Sequence, residues 1–175
     1  MSWIRSALVA VTGLLCLLFV QPALASQTSH SVYFAGFSYT GQQQHLSQTA
    51  PHSGAVLEGD GLVALNARIA QALKAQPPQH LQVRFEELAL LDGSTSATVM
   101  ATALDRESIS VEAIGDSHKV VVELAFQALF FDFRQSQVIA SYPITLQHID
   151  LLPAPPTDAH IRQVIAELLN GHGTV

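Results

Sequence analysis

The sequence KVVVELAFQALFFDFRQSQVIASYPITL, residues 119–146, is the densest apolar stretch of the chain outside its amino terminus. It holds four of the eight phenylalanines, and only the polar residues 134–137 interrupt it. Two apolar runs of strand length around a short polar break are typical of a β-hairpin. We therefore predict that residues 119–146 form a long β-hairpin around which the sheet is organised, called here the spine hairpin.

The first run of the spine hairpin is apolar on both faces of the predicted strand. The face that begins at Val120 has no polar member up to Phe130, and the other face has only Glu123 and Gln127. This pattern indicates a central strand that is covered on both sides or by a partner. The second run contains Pro143, which lacks an N–H and so places the second half of this strand at the edge of the sheet or at a bulge.

The remaining periodic segments are shorter and lie on both sides of the hairpin. Strands are predicted over residues 31–39, 80–85, 97–104 and 108–114, with a turn at 105–107, and helices over 61–74, capped by Asp60, and over 158–170. This order predicts an α+β fold, a two-layer sandwich of a mainly antiparallel sheet with two helices. The alternative is an all-β barrel with peripheral helices.

The amino-terminal residues 1–25 have the pattern of a secretory signal peptide. Arg5 precedes a short apolar run, and Ala23-Leu24-Ala25 provides a small-residue cleavage site. Cys16 lies inside the apolar run and follows Leu15, so the segment has no lipobox. We expect residues 26–175 to form a single α+β domain with a long polar loop at about 40–61, in a periplasmic or secreted protein.

Charge and hydropathy exclude two classes of partner. The net charge is −6, and the eight lysines and arginines form no cluster, which argues against nucleic acid. No second apolar segment without charges reaches the length of a membrane span, so no membrane association is expected after cleavage of the signal.

Catalytic and cofactor-binding motifs are absent from the sequence. Ser38 lacks the second glycine and the following helix of a hydrolase nucleophile elbow. The eight histidines form no pair at helical spacing. His45 and His52, in the polar loop, are the best candidates for a metal site, and no cofactor is expected.

Residues 132–141, DFRQSQVIAS, resemble the ending "strand, D-x-x-T-G-x-[IV], strand, helix" of small exported α/β domains of the curli-secretion lipoprotein and its envelope-assembly relatives. Asp132 and Val138 occupy the Asp and [IV] positions, while Gln135 and Ser136 stand at the Thr and Gly positions. The resemblance covers about residues 120–169. It implies a non-catalytic, partner-binding envelope domain and assigns no functional residue.

The export signal and the hairpin that is apolar on both faces favour a non-enzymatic binding or assembly domain of the bacterial cell envelope. We expect it to act through a protein partner or by self-association, with Phe131 and Phe133 at the interface. Two alternatives remain open. One is an exported hydrolase or metal-binding protein that uses the 40–61 loop, and the other is a carrier of a small apolar ligand.

Overall fold

A computed structural model describes residues 30–41, 46–86 and 97–171 of the chain. The predicted signal peptide, residues 1–25, and the metal candidate His45 lie outside these ranges. Five strands and four helical segments occupy the described residues. They are β1 (His30–Tyr39), α1 (Leu46–Thr49), α2 (Pro51–Val56), α3 (Gly61–Ala75), β2 (Leu81–Arg84), β3 (Thr98–Ile114), β4 (Ser117–Asp132), β5 (Gln137–Leu152) and α4 (Asp158–Leu169).

The strands form one mixed sheet in the order β2-β1-β3-β4-β5. β1 runs parallel to both of its neighbours, whereas β3, β4 and β5 are antiparallel. The sheet curls into a half-barrel. The predicted α+β class is confirmed and the curvature is compatible with the barrel-like alternative, but the two-layer sandwich is not confirmed.

The spine hairpin is confirmed as the pair β4 and β5. β4 is hydrogen-bonded on both sides, to β3 and to β5, as its two apolar faces predicted. β5 is the last strand in the sheet order, so the prediction of an edge position for Pro143 is also confirmed.

β3 is one strand, where the sequence predicted two strands and a turn at residues 105–107. Leu104 pairs with Phe126 and Arg106 pairs with Ala125, so Asp105 is an extra residue that has no partner on β4. Such a β-bulge absorbs the polar residues without reversing the chain. The predicted turn is wrong because pairing with β4 continues on both sides of the bulge.

The core lies between one face of the sheet, called here the helical face, and the helices. β4 contributes Val122 and Leu124, and α4 contributes Ile165, each with no solvent exposure. α4 begins after Thr157, whose hydroxyl accepts a hydrogen bond from the His160 N–H at 3.2 Å. Apolar side chains on one face of α4 thus decide how the helix packs.

α3 is fastened to β1 at a second bulge, between Phe34 and Gly36. Gly36 has a φ of 95°, and a Cβ built there would lie 2.9 Å from Oδ1 of Asn66. This close approach lets the Asn66 side chain accept a hydrogen bond from the Phe37 N–H at 2.6 Å. Asp60, predicted as the cap of α3, makes no side-chain capping hydrogen bond.

The turn of the spine hairpin contains a strained serine. A carboxylate oxygen of Asp132 accepts a hydrogen bond from the Gln135 N–H at 2.8 Å, which closes the turn. Ser136 then has a φ of 52°. This left-handed conformation costs about 1–2 kcal/mol for a residue other than glycine. It is the position at which the resembling domains carry glycine.

We expect Ser136→Gly to raise the free energy of unfolding by about 0.5–1 kcal/mol, because the relief of strain exceeds the extra entropy of glycine in the unfolded chain. Urea denaturation followed by circular dichroism measures the change. Ser136→Ala is the matched control and should leave the midpoint where it is. A lower midpoint for Ser136→Gly would contradict the strain at this turn.

Candidate functional site

Part of the predicted 40–61 loop is helical and packs into the core. α1 and α2 occupy residues 46–56, and Ala50, Ser53 and Leu57 are 3%, 0% and 7% exposed. The segment has the polar composition of a loop, but a few of its small and apolar residues are buried. The position of this segment depends on a contact with β3, a strand that is distant from it in the sequence.

That contact is the carboxylate of Glu107, whose side chain is 1% exposed. One oxygen accepts hydrogen bonds from the Ser53 N–H at 2.7 Å and the Ser53 hydroxyl at 2.6 Å. The other oxygen accepts from the His52 N–H at 3.2 Å and lies 2.7 Å from Nδ1 of His52. Glu107 therefore caps the first turn of α2 in place of a side chain from α2 itself.

His52 joins this carboxylate to α4. Its Nε2 lies 3.7 Å from a carboxylate oxygen of Asp158, in the first turn of that helix. The imidazole therefore lies between two carboxylates. Within residues 30–41, 46–86 and 97–171, no group of three histidine, cysteine or acidic side chains could hold a metal ion.

Serine, histidine and glutamate are also the residue types of a hydrolase triad, but their connections here differ. A nucleophilic serine donates its hydrogen bond to the imidazole, which in turn is oriented by the carboxylate. Ser53 instead donates directly to Glu107 and has no exposed surface. The cluster fastens α2 to the sheet and has no accessible nucleophile.

We expect Glu107→Gln to lower the free energy of unfolding by about 2 kcal/mol, because the amide replaces a charged acceptor and directs its NH₂ group at a donor. Urea denaturation gives the magnitude. Glu112→Gln, an exposed position further along β3, is the matched control and should change stability by less than about 0.5 kcal/mol. Equal effects of the two substitutions would show that the cluster does not fasten α2.

Tyr39, at the end of β1, packs against the same core. Burial, and to a smaller extent the negative charge of Glu107, raises the pKa of its hydroxyl above the ordinary value of 10.0. The folded chain thus favours the neutral phenol. The contribution to stability is fully present below the pKa of the unfolded state and decreases as pH rises through the folded pKa.

We expect the free energy of unfolding to decrease with pH above about 10, where an unfolded tyrosine ionises, and we expect Tyr39→Phe to make this decrease shallower. Urea denaturation at a series of alkaline pH values measures the slope. Tyr142→Phe, at an exposed tyrosine, should retain the wild-type slope. If Tyr39→Phe left the slope unchanged, the burial of this hydroxyl would not be what lowers alkaline stability.

The most exposed apolar surface of the described residues follows β5. Nine large hydrophobic side chains in this part of the chain are exposed, and six of them belong to this strand. They are Val138, Ile139, Tyr142, Ile144, Ile149 and Leu151, with exposed fractions between 44% and 62%. By register, Tyr142 and Ile144 share the helical face, whereas Ile149 and Leu151 lie on the opposite face. Apolar groups are therefore exposed on both sides of the edge strand.

Phe131 and Phe133, the predicted partner-binding residues, lie near the turn of the hairpin and are only half-buried. Phe131 pairs with Val99 on one side and with the exposed Val138 on the other. The sequence does not predict the exposed residues of β5, because an apolar run of strand length does not show how much of it a neighbouring element covers. Pro143, which indicated the edge strand, was the signal that could have found them.

None of the helices in the described part of the chain is both long and apolar enough to cross a membrane. The fold assigns the chain to the broad class of mixed α+β domains with a curled five-stranded sheet. No family model and no curated protein match the chain.

Several solved structures are similar to the chain at low identity. A homolog of a neuraminyllactose-binding hemagglutinin from Helicobacter pylori shares 10% identity over 81% of this chain and 77% of its own, with a TM-score of 0.44. The protein CT253 from Chlamydia trachomatis shares 11% identity over 68% of this chain and 72% of its own, with a TM-score of 0.41. Lipoprotein GNA1162 from Neisseria meningitidis shares 11% identity over 82% of this chain and 98% of its own, with a TM-score of 0.37. Values this low assign neither a family nor an activity.

Proposed function

We propose that the protein is an exported, non-enzymatic binding domain of the bacterial cell envelope that acts through a protein partner bound along β5. The observation that carries the proposal is the row of exposed apolar side chains on this edge strand, of which Ile149 and Leu151 are 58% and 62% exposed. These two side chains lie at alternate positions on the same face of β5, and neighbouring exposed apolar side chains are typical of an interaction surface.

No strand of the described residues pairs with the outer edge of β5, which favours a partner that contributes an extended strand. An edge strand presents unpaired N–H and C=O groups, which proteins usually protect with lysines, prolines, bulges or short strand length. β5 is 16 residues long and contains no lysine or arginine. Pro143 interrupts its donors, and the Leu151 N–H already donates to a carboxylate oxygen of Asp150 at 2.8 Å. The uninterrupted part of the edge is therefore residues 144–150. A strand with apolar side chains at alternate positions would pair with this part.

In this proposal the predicted interface residues Phe131 and Phe133 lie at the border of the binding surface, near the hairpin turn. Because both are half-buried, substituting them would disturb folding and binding together. Ile149 and Leu151 test the proposal more cleanly, since their side chains are mostly in solvent and changes there should alter stability by less than about 0.5 kcal/mol.

Site-specific photocrosslinking in the organism that makes the protein tests the proposal. With Ile149 replaced by p-benzoylphenylalanine, we expect one adduct of defined mass after irradiation. The same photoreactive residue at Gln71, exposed on α3, is the matched control and should give no adduct. Leu151→Asp, added to the Ile149 variant, should reduce the adduct at least tenfold, because a buried carboxylate would be left without a partner.

Three outcomes would overturn the proposal. They are the absence of an adduct at Ile149, adducts of similar yield at Ile149 and Gln71, and an adduct of twice the mass of the chain. The last would identify a second copy of the chain as the occupant of the edge, in place of a different protein.

A further inference from the structure

We propose that a groove across the helical face binds a single long alkyl chain, such as a fatty acid or the acyl tail of a lipid. The groove has a volume of 580 Å³ and is lined, in the described part of the chain, by residues from all five strands. Ala128 and Phe130 of β4 form part of its floor. They continue, at alternate positions, the series of β4 residues that packs against α4.

The chemistry of the lining fits hydrocarbon. Val32, Leu81, Ala128, Ala140 and Ile139 contribute only apolar side-chain atoms, and no described lining residue is acidic, lysine or arginine. The body of a ligand with hydrogen-bonding groups would lose its hydration here without gaining partners, which disfavours it. An aliphatic chain has no hydrogen bonds to water to lose, and its binding free energy becomes more favourable by about 0.8 kcal/mol for each methylene group that is buried.

The length of the groove favours an extended chain over a compact ring system. Its lining reaches from Leu81 on β2 to Tyr142 on β5, the two outermost strands of the sheet. Four spacings between neighbouring strands amount to about 19 Å. The hydrocarbon core of a bilayer is about 30 Å thick and contains two tails, so one tail is about 15 Å long. The groove is therefore long enough for one tail.

The two ends of the groove differ in polarity, which suggests an orientation for the ligand. At the β1–β2 end the lining includes the exposed His30, whose N–H donates to the His80 carbonyl oxygen at 3.1 Å. At the β5 end the lining is Ile139, Ala140 and Tyr142, whose ring packs edge-on against Phe130 with centroids 5.8 Å apart. A carboxylate or other polar head group would lie beside the His30 imidazole, with the chain directed towards β5.

The test uses the complete exported chain and the fluorescent fatty acid cis-parinaric acid. We expect saturable binding and displacement by unlabelled saturated fatty acids. The affinity should increase about fourfold for each added methylene group and stop increasing once the chain exceeds the groove. Displacement by free fatty acid or by a lysophospholipid shows whether a free acid or a lipid tail is the better ligand.

Two variants and one control locate the binding. Ala140→Trp, on the edge strand, fills the groove and should weaken binding at least tenfold. Tyr142→Asp, at a side chain that is 60% exposed, places a carboxylate at the apolar end and should weaken binding similarly without disturbing the fold. Ala159→Trp, at an exposed position on α4, is the matched control with wild-type affinity.

Binding that does not depend on chain length, or an equal loss of affinity in Ala140→Trp and Ala159→Trp, would overturn the assignment. So would wild-type affinity in Tyr142→Asp. The assignment does not depend on the proposed function. Ile149 and Leu151 do not line the groove, so crosslinking at Ile149 and fatty-acid binding can succeed or fail separately.

Discussion

One extra residue in β3 determines which side chains meet the helices. Side chains alternate between the two faces of a strand, so an unpaired residue exchanges the faces for everything that follows it. Up to Leu104 the even-numbered residues of β3 lie on the helical face, and from Glu107 onward the odd-numbered residues do. Without the bulge at Asp105, Arg106 would point at α2 and Glu107 would point away from it.

This exchange explains how a polar segment with few apolar residues is held in place. α1 and α2 together have ten residues, which is too short for a stable helix in water. The Glu107 carboxylate supplies the capping acceptors that the sequence around Ala50 does not provide. The same carboxylate also contacts His52, whose Nε2 lies 3.7 Å from Asp158 in the first turn of α4. One acidic side chain therefore holds the polar segment on the sheet and next to that helix.

The sequence predicts the elements whose pattern is local. The spine hairpin and the helices α3 and α4 show the periodicity of their final structure over ten or more residues, and all three lie where they were predicted. Charged residues are frequent in turns, so the Asp105-Arg106-Glu107 stretch by itself predicts a turn. Only its pairing with β4, in which Arg106 meets Ala125 and Glu107 meets Leu124, makes it part of a strand.

The candidate sites are less predictable because each depends on the order of the strands. Tyr142 and His30 are 112 positions apart in the sequence and line the same groove. Ile149 and Phe131 have similar hydrophobicity, yet one is exposed because its strand is the last in the sheet and the other is partly covered by its neighbours. The two apolar faces of β4 indicate a central strand, whereas only Pro143 indicates that β5, which is also rich in apolar residues, lies at the edge.

The two edges of the sheet are very unequal in length. β2 has four residues and β5 has 16, so pairing β5 of one molecule with β2 of the next would satisfy only a quarter of the longer edge. Head-to-tail growth of the sheet into an open filament needs two edges that match. The short β2 therefore disfavours growth of the sheet from molecule to molecule through pairing of β5 with β2.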